Sequence, residues 1–386
     1  MTPAYDVIIV GAGAMGSAAA YHLAKSGQRV LLLEQFEINH QYGSSYGASR
    51  IIRYSYDDPI YVKLARSTYP LWTELEQESG EKLHIVTGGL DFGPAGDPRL
   101  LDTIHTARET EIPHEMITPR EAENRFPQYR MGDEFTVMYQ PDSGILRASK
   151  CVKVHVELAE KHGAVVMDQT PVTGLTIHSD SVEVHTADEI YSAARLIITA
   201  GGWAGDILSS IGLNLPLSIM RCHEVYFAPT EKPELYEAER MPVFIFHTSK
   251  YGEFRPYGLP SIDGSGVKAG FHGAETFHHP SEIDYTPDTG KLVKQVREYT
   301  KSHIPGIAQG KLIQSRVCLY TMTPDEHFII DTHPAYPHVA IGSPCSGHGF
   351  KFSTLIGKIL GDLVIHGSTD QDISRFSIAR FDNVDN

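Results

Sequence analysis

The feature that most constrains this chain lies in its first thirty-odd residues. Tyr5-Asp-Val-Ile-Ile-Val10 is a short apolar run that reads as a fully buried strand, Met15 to Ser26 carries helical spacing, and Gln28 to Glu34 reads as a second buried strand. Between the first strand and the helix stands Gly11-Ala-Gly-Ala-Met-Gly16, a G-x-G-x-x-G loop in the context that binds a dinucleotide. Gly11 permits the tight turn, Gly13 lets the backbone approach a pyrophosphate, and Gly16 lets helix and strand pack closely. The helix N-terminus offers unpaired N–H groups and partial positive charge to phosphates. Glu34 closes the second strand, where an acidic side chain accepts hydrogen bonds from ribose hydroxyls; its charge argues against a 2′-phosphate and hence against NADP. A glycine turn that merely joins strand to helix is the competing reading, and loop, helix and Glu34 together outweigh it. The motif does not distinguish FAD from NAD.

A βαβ unit accounts for a small part of 386 residues, and a chain of this length predicts two domains. The net charge of −15, with no long basic run, argues against a nucleic acid or an anionic membrane as partner. No stretch is long and apolar enough to span a bilayer. The cysteines Cys151, Cys222, Cys318 and Cys345 are scattered without paired spacing, which favours reduced thiols in a cytoplasm over a disulfide framework or a zinc site. The opening residues lack signal-peptide features, and Val384-Asp385-Asn386 is no peroxisomal tripeptide, so the expected location is cytoplasmic.

Further along, Ile60 to Glu78 and Ser149 to His162 read as helices, and Val172 to His178, Val182 to Thr186 and Arg195 to Thr199 as strands. Residues from Leu217 to Leu319 alternate strand-like runs with turns, as in a mostly antiparallel sheet. His338 to Ile341 and Phe352 to His366 restore a strand and a helix. The nucleotide-binding domain is therefore predicted to be discontinuous, over 1–85, 147–216 and 323–386, with a substrate and catalytic domain over 86–146 and 217–322.

Several residues could carry chemistry, each against a blander reading. Arg50 and Arg53 could stabilise an anionic ring or clamp a carboxylate, or could lie on a solvated face. Lys268 and His272 are by default a surface lysine and a structural histidine. Ser346-Gly-His-Gly-Phe-Lys351 offers a second anion-binding helix start with Lys351 as carboxylate partner, or a simple cap with an exposed lysine. Cys318 reads as a buried structural thiol. His278-His279 and Glu326-His327 lack metal-ligand spacing, and no metal is assigned.

Taken together, the segments Val7–Gly16, Gly43–Arg53, Tyr257–His272, Arg316–Asp331 and Ser346–Phe352 resemble the monomeric sarcosine oxidase family, which includes N-methyltryptophan oxidase and pipecolate oxidase. The resemblance runs nearly end to end. It implies an α/β fold class: a Rossmann-like FAD-binding domain plus an α+β substrate domain with a mostly antiparallel sheet. It also implies FAD carried covalently through Cys318, Lys268 beside the flavin as the oxygen-activating cation, and Arg50 as support for the reduced anion. Arg53 and Lys351 match the pair that binds substrate carboxylate, and Tyr257, His272 and Tyr320 match residues around the substrate amine. Ser44, Val172, Gly347 and Gly349 complete the implied cofactor contacts, with Arg50 and Lys351 shared between roles.

The activity implied is FAD-dependent amine oxidation: the C–N bond of a secondary (N-methyl) amino acid such as sarcosine or N-methyltryptophan is oxidised, giving an imine that hydrolyses and hydrogen peroxide from O2. The protein is expected to act as a monomer. Rival readings are an oxidase of pipecolate, proline or fructosyl amino acids on the same scaffold, a dehydrogenase with another acceptor, and a non-catalytic flavin-binding protein. Two departures bear on substrate: Gly43-Ser-Ser-Tyr-Gly47 places Tyr46 where the bacterial enzymes carry a histidine, and Tyr56 to Tyr61 is one residue shorter than its counterpart.

Overall fold

A computed structural model describes residues 4–250, 255–342 and 346–381; Cys345 and Val384-Asp385-Asn386 lie outside them. Strand Tyr5–Val10 pairs in parallel with Val30–Leu33 on one side and with Ile190–Ile198 on the other. Val165–Met167 extends the parallel set beyond Val30–Leu33, and Tyr336–Gly342 extends it beyond Ile190–Ile198. The first half of Ile190–Ile198 pairs instead with Val182–His185, antiparallel, which pairs in turn with Gly174–Ile177.

The apolar run at the start of the chain is explained by burial on both faces. Val7 and Ile9 enter one core with Leu32, against helices Ala14–Lys25, Ala148–Lys161 and Ser353–His366. Ile8 and Val10 enter another with Leu31, Leu33, Leu196 and Leu208. Helices Ala14–Lys25 and Ser353–His366 touch at Gly357, where an added Cβ would lie 2.5 Å from the Ala19 nitrogen.

Among the described residues a second sheet has nine strands, drawn from residues 89–140 and 218–322. Its pairs are antiparallel except for Val243–Phe246 beside Gly89–Pro94. Strand periodicity gives this sheet two unlike faces. Val225, Phe227, Val267, Ala269 and Phe271 pack with Val296 and Tyr299 of helix Lys291–His303. Glu224, Lys268, His272 and Tyr320 alternate with that set and line a cavity instead. A three-stranded sheet, Arg50–Ile52, Gly144–Leu146 and His84–Val86, sets Arg50 and the following Arg53 at the same cavity. Among the described residues no helix is long and apolar enough to cross a membrane.

Candidate active site

One cavity of about 620 Å³ runs from the glycine loop to the inner face of the second sheet. That volume lies within the range of roughly 300–1,000 Å³ typical of ligand and cofactor pockets. At the loop end Gly11 sits at φ +98°, and a Cβ there would lie 2.6 Å from the Thr199 carbonyl oxygen. A Cβ on Gly16 would stand 1.8 Å from the Gly11 oxygen, so Gly16 serves packing and does not itself line the cavity. Gly13 does line it, immediately before helix Ala14–Lys25.

Glu34 braces this loop as well as facing the cavity. One carboxylate oxygen accepts the Ala12 N–H at 2.9 Å and the other accepts the Phe36 N–H at 3.1 Å. Each oxygen keeps a further lone pair for a hydroxyl. Burial raises the Glu34 pKa, while those backbone donors pull it back. The Ser45 hydroxyl accepts the Ala14 N–H at 2.9 Å, a helix-start contact supplied from 31 residues away that the sequence reading missed.

At the other end Lys268 and Lys351 are buried and Arg50 and Arg53 are mostly covered, which overturns the blander readings of the sequence. The Arg50 and Arg53 side chains are only 14% and 17% exposed. Arg50 donates to the carbonyls of Ser44, Tyr46 and Ser49 at 2.8, 2.9 and 2.9 Å, so it holds the 44–49 loop closed around itself. Lys268 is 1% exposed, not a surface lysine, and donates to Glu224 Oε1 at 2.6 Å and the Ser49 carbonyl at 3.1 Å. Lys351 is 6% exposed, not a solvated cap residue; it donates to the Tyr56 hydroxyl at 2.8 Å and the His348 carbonyl at 2.7 Å.

Tyr56 brings the two carboxylate-binding candidates together. The Arg53 guanidinium lies 4.6 Å from its ring centre and the Lys351 ammonium 5.3 Å. Arg53 is steadied by Ser55 and by Asp91 at 3.6 Å, and Asp91 in turn meets His247 Nε2 at 2.9 Å. His272 and Tyr320 have ring centres 5.3 Å apart. Gly347, at φ +78°, lies against both: a Cβ there would stand 2.4 Å from the Tyr320 ring and 2.8 Å from His272. Burial, reinforced by Arg255 and Lys351, pushes the His272 pKa down to about 3, so this imidazole is neutral. Burial likewise raises the Tyr257 and Tyr320 phenols far above their ordinary range.

Ser44, Val172 and Gly349 also line the cavity, Val172 from the loop just before strand Gly174–Ile177. Cys318 does not; it is buried behind Arg50, whose Nη2 is 3.6 Å from its sulfur. Burial raises this thiol's pKa and Arg50 opposes the rise. Tyr46 is also outside the cavity lining, its ring covering the Arg316 guanidinium at 4.7 Å. The sequence reading missed Glu224. Its signal was a lone carboxylate in Ile219-Met-Arg-Cys-His-Glu-Val-Tyr-Phe227, two residues from Cys222 and hence on the same strand face.

A glycine loop with a ribose-type carboxylate at one end, and a buried cation cluster at the other, define a flavin-dependent oxidoreductase. The positive φ at Gly11, the close approach at Gly13 and the long cavity fit FAD. Residues 6–363 match the family described as FAD dependent oxidoreductase. The chain is 37% identical to monomeric sarcosine oxidase of Bacillus sp. (strain NS-129), covering 98% of each chain. It is 29% identical to N-methyl-L-tryptophan oxidase of Yersinia pestis (strain Pestoides F), covering 98% of this chain and 99% of that one. Among solved structures, the open form of NikD, an unusual amino acid oxidase essential for nikkomycin biosynthesis, superposes with a TM-score of 0.85 at 25% identity over 97% of this chain and 98% of that one. The chain belongs to the FAD-dependent oxidoreductases and, among them, to the monomeric sarcosine oxidase family.

Proposed function

We propose that this enzyme oxidises the C–N bond of a secondary N-methyl amino acid, such as sarcosine or N-methyltryptophan, with O2 as acceptor. The observation that carries the reading is the convergence of Arg53 and Lys351 on the Tyr56 ring inside the cavity that begins at the glycine loop. Two cations side by side match a carboxylate, and charge-assisted hydrogen bonds to it fix the substrate's orientation. The same cations lower the pKa of the substrate amine and favour its reactive neutral form. His272, itself neutral, adds no charge beside that amine and can accept its hydrogen bond. Tyr257 and Tyr320 form part of the wall beside it.

FAD bound along the cavity supplies the two-electron acceptor. Gly11, Gly13 and Glu34 are assigned to its pyrophosphate and ribose, and Ser44, Val172, Gly347 and Gly349 to further contacts. The Lys268 ammonium is assigned to stabilise negative charge developing on O2, which takes up two electrons and two protons to become hydrogen peroxide. The imine product is hydrolysed in water. Arg50, beside both Glu224 and Cys318, would offset negative charge on a flavin bound there.

Covalent attachment through Cys318 belongs to the same proposal, supported by the Arg50 guanidinium that would stabilise its thiolate. Cys222 and Cys318 face each other in register without a disulfide between them, which supports a reducing, cytoplasmic setting. A monomeric state is proposed from the name of the Bacillus relative. The proposed domains follow the two large sheets, FAD-binding on 1–85, 147–216 and 323–386 and substrate on 86–146 and 217–322, with Arg53 and Lys351 reaching the substrate end from the first and Cys318 reaching FAD from the second.

The test is anaerobic mixing of the flavin-loaded protein with sarcosine or N-methyltryptophan, followed by air. Loss of the flavin absorbance at mixing and stoichiometric peroxide on aeration are expected. Bleaching by pipecolate, proline or a fructosyl amino acid alone would replace the substrate class, and no bleaching by any of them would refute the enzyme reading. Fluorescence that stays with the denatured polypeptide and disappears in Cys318→Ser is expected; a denatured wild-type band without it would refute the covalent link.

A further inference from the structure

Three cations meet one carboxylate at the cavity wall. Glu224 is 3% exposed; its Oε1 accepts from Lys268 Nζ at 2.6 Å and lies 3.1 Å from Arg50 Nη1. Its Oε2 accepts from Arg316 and, at 3.2 Å, from the Tyr226 hydroxyl. Lys268 has three N–H donors. Glu224 and the Ser49 carbonyl take two, which leaves one for the cavity that Lys268 lines.

We propose that Glu224 is the positioning residue of the oxygen step: it fixes Lys268 at the cavity wall and keeps it an ammonium, while Arg316 balances the added carboxylate. The proposal rests on the reading of Lys268 as the cation that serves O2. It follows from which charged groups face that lysine. Strand Arg50–Ile52 presents Arg50, strand Leu312–Met322 presents Arg316 and Cys318, strand Arg255–Leu259 presents Tyr257, and strand Ser218–Phe227 presents Tyr226 and Glu224. His272, on the lysine's own strand, is neutral. Burial holds the phenols in their protonated forms, and Cys318 carries no charge either as a buried thiol or as a thioether.

Among these described groups Glu224 is the one anion. Burial drives the Lys268 pKa down, Arg50 and Arg316 push the same way, and Glu224 alone among them opposes, leaving the value at about 8. Glu224 is itself kept ionised, because Arg50, Lys268 and Arg316 outweigh the cost of its burial. Without it the lysine would sit between two permanent cations and lose its proton near neutrality. A buried ion cluster kept only for stability would not have this consequence, and buried pairs are in any case weak sources of stability.

The experiment reads the charge of Lys268 directly. The flavin-loaded protein is labelled competitively with isotopic acetic anhydride from about pH 6 to about pH 10, and the Lys268 peptide is quantified by mass spectrometry. Only the neutral amine reacts. A midpoint near 8 is expected for the wild type. Glu224→Gln should move it down by a pH unit or more, and the double variant Glu224→Gln with Arg316→Gln should move it back, since one charge of each sign is then gone. In parallel, the rate of reoxidation by O2 at pH 8 should fall roughly fivefold for a midpoint shift of one unit in Glu224→Gln and recover on acidification. In a Lys268→Arg background Glu224→Gln should leave that pH profile unmoved. Should Glu224→Gln fail to fold, Glu224→Asp, which keeps the charge, and the double variant carry the test: both should hold the midpoint near the wild-type value. An unchanged midpoint in Glu224→Gln overturns the proposal, as does a midpoint lost in Glu224→Asp. A shifted midpoint with an unmoved oxygen profile refutes instead the reading of Lys268 on which it rests.

Discussion

The two ends of the cavity are built by opposite means. At the loop end the decisive groups are backbone: a turn at positive φ, a helix start, and N–H groups of Ala12 and Ala14 held by Glu34 and Ser45. At the substrate end they are long charged side chains brought from Arg50–Ile52, Ser218–Phe227, Val267–His272 and the 346–351 segment. The first end depends on what is absent, since a methyl group on Gly11 or Gly16 would collide with the Thr199 or Gly11 carbonyl oxygen that packs there. The second depends on charges that would be unstable alone and are stable only together. Substitutions should therefore damage them differently: steric loss of cofactor at one end, loss of particular reaction steps with cofactor retained at the other.

The largest effect is expected for Lys268→Met, where reoxidation by O2 should slow by about 10²–10³-fold, as when one preorganised electrostatic donor is removed. Anaerobic bleaching by substrate, followed by stopped-flow absorbance, should be much less affected; equal loss of both half-reactions would break the assignment. Next, Arg53→Met or Lys351→Met should raise the KM for the amino acid by on the order of 10²-fold, with FAD content unchanged. Loss of FAD from either variant would erase the contrast between the ends.

Gly16→Ala should do the reverse. Its Cβ cannot be placed 1.8 Å from the Gly11 oxygen without moving helix Ala14–Lys25. A destabilisation of about 1–3 kcal/mol and a lower flavin-to-protein ratio in the purified protein are expected. Ser45→Ala should give a milder version, about 1 kcal/mol in denaturant melts, because one helix-start N–H loses its acceptor.

Acid should sharpen the same contrast. His22 and His155 lie in the helices behind the loop, and burial lowers their pKa values to about 4 and about 3. An imidazole kept neutral by burial binds its proton less readily folded than unfolded. The unfolded chain therefore takes up more protons below the ordinary value near 6.5, and stability falls as pH drops from there towards 4. Glu224 has a lowered pKa, so its contribution is fully present above the usual carboxylate value and is lost only below it. A fall in Tm of several degrees, about 3 kcal/mol for this pair, is expected between pH 6.5 and 5, with His155→Gln making it shallower and Glu224→Gln leaving its slope unchanged.

The loop end was readable in the chain because its determinants are contiguous. Strand, Gly11, Gly13, Gly16, helix and Glu34 span a single βαβ unit, and each requirement is a local one of backbone geometry. Ser45 escaped notice because its contact is made across 31 residues. At the other end, residue type and spacing alone left Arg50, Arg53 and Lys268 as ordinary surface cations and Lys351 open between carboxylate partner and exposed cap. Their assignment came from family resemblance, and their burial from the structure. Tyr56 meets Lys351 from 295 positions away, and Glu224 meets Lys268 across 44.

By itself, then, the sequence determined that a dinucleotide would lie along a glycine turn, since φ freedom and close approach are properties of single residues. Only the tertiary structure decided that four cations would be taken out of water and faced by Tyr56 and Glu224. Burial is a property of the assembled sheet face, and the state of a buried charge depends on every other charge that packing brings beside it.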